Sequence, residues 1–121
     1  MAREKLSIPQ LKIKANDVRR DVVHMLELAK SGHPGGALGL ADIVTALYFN
    51  IMNIDPQNPE WPERDIFMLS NGHTVPVQYA AMAEAGYFPV EELSTLRKLG
   101  SRLQGHPERV KLPGLENTSG P

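Results

Sequence analysis

Three times in this chain a glycine stands directly before a histidine where the sequence reads as a turn: Gly32-His33, Gly72-His73 and Gly105-His106. A residue without a Cβ lets backbone come close to a ligand. An imidazole beside it can donate or accept a hydrogen bond and move a proton near neutral pH. Gathered in one cleft, the three would suit a polar or phosphorylated ligand. Taken one at a time, each is more simply a loop histidine. A three-histidine zinc site is the competing reading, but no His-x-x-x-His spacing supports it. Asp65, Glu108 and Glu116 lie near these turns without forming a paired-carboxylate arrangement, and the glycines of 114–121 have no strand before them to make a phosphate loop.

The elements that must hold these turns can be read from periodicity. Pro9 suits the first turn of a helix, and Leu11, Ala15, Val18, Val22, Met25 and Ala29 then trace one helical face from Gln10 to Lys30, with Gly32 as a cap. The glycine-rich 32–40 reads as a loop, and 41–52 as a helix buried all round. Asp65–Ser70 is a short apolar run bounded by charge and by Asn71-Gly72, which fits a strand covered on both faces. Val75–Glu84 reads as a helix closed by Gly86, and Val90–Leu99 as another, with Glu91 and Glu92 in its first turn. Helix–helix–strand–helix predicts an α/β layer architecture whose further strands come from elsewhere. Ser70–His73 then falls at the carboxyl end of the strand and the start of a helix, where α/β proteins bind ligands and helix N–H groups meet phosphates.

Composition narrows the classes. The 121 residues suffice for a single domain. A net charge of −1 leaves no electrostatic footprint for nucleic acid or an anionic membrane surface. No apolar run approaches a membrane span, the first ten residues lack a signal-peptide core, and there is no cysteine for a disulfide or thiolate site. A cytoplasmic protein is the expectation.

The ordered motifs Ser31-Gly32-His33-Pro34-Gly35, Ala41-Asp42-Ile43, Arg64-Asp65 leading to Leu69-Ser70-Asn71-Gly72-His73, Gly86-Tyr87, Gly105-His106-Pro107-Glu108 and Pro113–Pro121 resemble the N-terminal part of transketolases, over essentially the whole chain. The resemblance implies a thiamine-diphosphate enzyme that moves a two-carbon ketol unit from a ketose phosphate to an aldose phosphate, with the cofactor supplying the nucleophile and the electron sink. It implies that His33 and His106 are catalytic, lining the substrate channel near the ketol hydroxyls. It implies that His73, Gly120 and Pro121 bind the cofactor. Residues 1–121 would be the N-terminal part of the diphosphate-binding domain, ending before the Gly-Asp-Gly metal motif. Mg²⁺ ligands, the remainder of that domain and the pyrimidine-binding domain would then come from partner polypeptides in a hetero-oligomer. Thr74-Val75-Pro76 departs from the commoner Gly-Ser and is similar to separately encoded N-terminal subunits, which favours a split enzyme, active only when completed. Two other readings stand beside it. One is a non-catalytic module or gene remnant. The other is a related enzyme such as a deoxyxylulose-phosphate or dihydroxyacetone synthase; Gly105–Glu108 argues against the deoxyxylulose-phosphate branch.

Overall fold

The computed structural model describes residues 4–32 and 34–118. Its α-helices are α1 (Ile8–Ala29), α2 (Pro34–Gly39), α3 (Ala41–Ala46) and α4 (Val75–Ala85). Helix α4 is the core itself: every residue from Val75 to Ala83 is buried. Its sequence explains this, since Val-Pro-Val-Gln-Tyr-Ala-Ala-Met-Ala offers no polar face to water, and a helix apolar all round must be covered all round. Its small alanines let neighbours approach closely. Helices α1, α2 and α3 all pack on it. Two of the polar groups it buries find partners: Gln78 Nε2 donates to the Tyr48 hydroxyl (3.0 Å) and the Tyr79 hydroxyl donates to the Gln104 carbonyl (2.7 Å), while Gln78 Oε1 is buried without one.

Helix α1 begins on a capping box. Gln10 N–H donates to the Ser7 hydroxyl (3.3 Å) and Ser7 N–H to the Gln10 side chain (2.8 Å), with Pro9 in the first turn. Its buried stripe is Ala15, Val18, Val22, Met25 and Leu26, and it stops at Lys30 in a left-handed conformation. Helix α3 runs on into a π-helical turn, Leu47–Ile51, which buries Tyr48 and Phe49. The Tyr48 ring meets Phe67 and Tyr87 edge-on, with centroids 6.1 and 6.2 Å away. The helices expected over 10–30, 41–52 and 75–84 are thus present.

Three expectations change. Residues 34–39 form the short helix α2 where a loop was expected. The helix expected over Val90–Leu99 is a 3-10 turn, Val90–Thr95. The Ser94 and Thr95 hydroxyls donate back to the carbonyls of Glu91 and Glu92, and Thr95 is also tied to Ser101, so helix propagation stops there. The strand expected over Asp65–Ser70 is not formed, and no strand occurs among the described residues. A strand needs a neighbour to share its backbone hydrogen bonds. Here Leu69 is buried, while Ile66 and Met68 are 59% and 62% exposed. The α/β expectation is therefore met on its helical side only.

At the α1–α4 contact, Asp21 faces Glu84, which also receives the Lys14 ammonium (3.3 Å). Burial, then the hydrogen bond and charge of Glu84, then Asp17, push the Asp21 carboxyl up to about 8, with Lys14 opposing. An unfolded Asp21 would titrate near its ordinary value of about 4. Between those values the unfolded chain releases a proton that the folded chain keeps. Stability from this group is therefore fully present below about pH 4 and is lost as pH rises towards 8. We expect Asp21→Asn to be more stable than the parent at pH 8 and close to it at pH 4; urea unfolding at the two pH values measures the difference, and parallel pH profiles would refute the assignment.

Candidate functional site

The turn Ser70–His73 is held by its own backbone. Gly72 N–H donates to the Ser70 carbonyl (3.0 Å), and Thr74 sends both its N–H (3.0 Å) and its hydroxyl (2.8 Å) to the Asn71 carbonyl. A 3-10 turn, Gly72–Thr74, then feeds directly into α4. Thr74 is buried and His73 exposed, so the turn presents the imidazole outward at the start of the buried helix. Thr74 is the N-cap of α4 and makes no side-chain capping hydrogen bond. The preceding 3-10 turn caps the helix instead: the Val75 N–H donates to the Gly72 carbonyl, and Pro76 after it has no N–H.

Helix α2 lies against this turn. A Cβ built on Gly36 would stand 2.6 Å from Thr74 Cγ2 and 4.0 Å from His73 Nε2. Only a residue without a side chain fits at that approach. Gly36 and the His73 turn thus come together.

The third loop is reached through the segment 112–118. Leu112 and Leu115 are buried. Glu116 receives the Arg64 guanidinium on both oxygens (2.7 and 3.0 Å). The Asn117 side chain then takes the Leu69 N–H (3.2 Å) and donates to the Leu69 carbonyl (3.1 Å). An amide side chain here makes the pair of hydrogen bonds that a neighbouring strand would make. Thr118 follows, accepting the Arg109 N–H (3.0 Å) and donating to Glu108 (3.4 Å). Segment 112–118 is a clasp between the residue before the His73 turn and the loop that carries His106.

His106 lines a hollow of about 420 Å³ with Arg97, Gln104, Gly105, Pro107 and Glu108. Leu103 and Pro107 are buried and anchor the loop on either side. Tyr79 holds it to α4 through the Gln104 carbonyl, and burial pushes the Tyr79 phenol up, so it stays a donor. A Cβ on Gly105 would meet the Arg97 guanidinium, 2.5 Å from Nη1.

Of the residues expected to do chemistry, His73 and His106 are placed at the mouths of these two loops, joined by the clasp. His33, Gly120 and Pro121 lie outside the described residues. Among the described residues no group of three or more His, Asp or Glu could hold a metal ion. Sequence reasoning missed Asn117, Tyr79 and the Arg64–Glu116 pair, which position the site. Asn117 sits in a stretch without periodicity, and nothing local marks its side chain as a partner for residue 69.

A family profile described as "Transketolase, thiamine diphosphate binding domain" matches residues 11–121. The chain is 43% identical over 110 residues to the "6-deoxy-6-sulfo-D-fructose transketolase subunit SqwG" of Clostridium sp. (strain MSTE9), covering 91% of this chain and 40% of that protein. It is 46% identical over 123 residues to "Transketolase, chloroplastic" of Spinacia oleracea, covering 99% of this chain and 17% of that one. The solved "Transketolase from Leishmania mexicana" superposes with a TM-score of 0.88 at 39% identity, over 98% of this chain and 17% of its own. The chain thus spans well under half the length of the relatives it matches.

Replacing Asn117 by Ala strands the Leu69 N–H and carbonyl, and should cost about 1–3 kcal/mol in urea unfolding with faster amide exchange at Leu69. Gly36→Ala should cost a similar amount, about 1–3 kcal/mol, because Thr74 is itself buried and must shift. Unchanged unfolding midpoints in both variants would refute the clasp and the close approach.

Proposed function

Because the chain belongs to the transketolase family, through its thiamine diphosphate binding domain, we propose that it is the N-terminal component of a split transketolase, active only when partner polypeptides complete it. The observation that carries this reading is the meeting of the Gly36 and His73 turns at the start of α4, within a chain matched by that family from residue 11 to 121. The residues present fit a diphosphate. An exposed imidazole stands at the start of a helix, with the backbone of Gly36 close against the same turn. Bound there, thiamine diphosphate would supply the carbanion and the electron sink for ketol transfer. His73 would donate a hydrogen bond to a phosphate oxygen of the bound cofactor. His33 and His106 face the ketol hydroxyls of a sugar phosphate, hold them in register and stabilise developing charge by hydrogen bonding. Gly120 and Pro121 are assigned to cofactor binding on the family resemblance alone. Mg²⁺ ligands come from a partner chain, and the working species is a hetero-oligomer in the cytoplasm.

The exposed apolar side chains support completion by partners. Ile66 and Met68 on the segment before the His73 turn, with Ile43 and Ile51 on α3 and the turn after it, are each more than half exposed. Among the described residues no helix is long and apolar enough to cross a membrane.

A second reading concerns the substrate. One relative is named as a subunit acting on 6-deoxy-6-sulfo-D-fructose, which favours a sulfonated ketose as an alternative donor.

Reconstitution tests both. The chain, mixed with polypeptides carrying the rest of a transketolase, thiamine diphosphate and Mg²⁺, should transfer a ketol unit to an aldose phosphate. His106→Ala should lower kcat/KM by about 100-fold or more, and His73→Ala should raise the cofactor concentration needed for half-activity. Rates unaffected by both substitutions would sink the site assignment. Comparing a phosphoketose with a sulfoketose as donor decides between the two substrates.

A further inference from the structure

Tyr79 lies within α4 and is 0% exposed. Its neighbours Val77, Ala80 and Ala81 are apolar. A phenylalanine would bury the same ring there with no hydroxyl to satisfy. The hydroxyl reaches the Gln104 carbonyl at 2.7 Å, two residues before His106. Among the described residues, this is the one hydrogen bond made by the main chain of 104–107. The main-chain bonds on either side stop short of that stretch. The Leu103 carbonyl takes the Arg97 N–H (2.8 Å), and the Glu108 carbonyl takes the Lys111 N–H (3.0 Å).

Two buried residues, Leu103 and Pro107, hold the ends of this stretch. The simpler reading is that they suffice, and that the phenol only satisfies itself on the nearest carbonyl. Burying two side chains fixes where the chain passes. It does not fix how the peptide planes between them are turned. The plane joining Gln104 to Gly105 is followed by the residue with the widest choice of backbone angles, and His106 comes next. A hydrogen bond on the Gln104 carbonyl holds that plane. The Gln104 side chain adds a second tie, Nε2 donating to the Ser101 carbonyl (2.6 Å). With the plane held, the direction in which His106 enters its hollow of about 420 Å³ is set from the core. The same helix begins directly after the His73 turn. One rigid element thus places both histidines, the first by its end and the second by a hydroxyl in its second turn.

We propose that Tyr79 is a positioning residue, whose hydroxyl holds the Gln104–Gly105 peptide so that the His106 imidazole keeps one orientation in its hollow. Only the kinetic consequence rests on the ketol-transfer reading. Tyr79→Phe keeps the ring and removes the hydroxyl alone. In the full chain, with its histidine rings isotope-labelled for NMR, this change should shift and broaden the His106 ring resonances and leave those of His24 in place. Unmoved His106 resonances would overturn the proposal, whether or not an assembly is active. In the reconstituted assembly, Tyr79→Phe should lower kcat about tenfold. The cofactor concentration needed for half-activity should stay the same. In a His106→Ala background Tyr79→Phe should cause no further loss, because it acts through that imidazole. Tyr48→Phe is the control, removing a similarly buried hydroxyl that accepts from Gln78 instead. It should lower the urea midpoint while kcat and the His106 resonances hold. Additive losses in the double variant, or an equal fall in kcat from Tyr48→Phe, would show a general loosening of the core and overturn the assignment. An inactive parent assembly would count against the ketol-transfer reading alone, and the His106 resonances would still decide the role of Tyr79.

Discussion

A helix with no solvent-facing side dictates the rest of this fold. Because α4 is buried from Val75 to Ala83, each of its surfaces needs a neighbour, and each polar group on it needs a partner. Helices α1, α2 and α3 meet the first demand, and Tyr48 and the Gln104 carbonyl meet the second for Gln78 Nε2 and the Tyr79 hydroxyl. The chain reaches the surface only at the helix ends. Immediately before α4 stands His73, and beside the same half of the helix the Tyr79 hydroxyl holds the loop of His106. The placement of both histidines follows from where the core helix starts and from which of its side chains require satisfaction.

The clasp does the complementary work from outside. Arg64–Glu116, Leu69–Asn117 and Glu108–Thr118 are successive links along one short segment. The Arg64–Glu116 fork is mostly shielded from water, with side chains 21% and 16% exposed, so it is less screened than a surface pair. It serves here to fix register. Once Glu116 is held, Asn117 can reach only Leu69, and Thr118 only the 108–109 loop.

Helices α1, α3 and α4 were legible in the sequence because each carries its own periodicity or, for α4, an unbroken apolar run with a glycine stop. The resemblance to transketolases was legible because its motifs are ordered and spaced, and membership of that family agrees with it. The strand was misread for a physical reason. A run such as Ile66–Leu69 records which neighbours it is suited to, and those neighbours are not among the described residues. The helix over 90–99 was misread because the Ser94 and Thr95 hydroxyls compete with the backbone ladder, an effect that acidic first-turn residues conceal. Asn117 was invisible because its partner is 48 residues distant.

The clasp also bears on the order in which the chain becomes structured. Joining residues 48 apart costs on the order of 3 kcal/mol in chain entropy, against a net gain of about 1–3 kcal/mol from the two amide hydrogen bonds of Asn117. Those bonds do not close the loop unaided. Burial of Leu112 and Leu115 and the Arg64–Glu116 fork must form in the same event. The links of this segment to Leu69 and to the 108–109 loop therefore belong to one event, which during synthesis waits until residues 112–118 have left the ribosome.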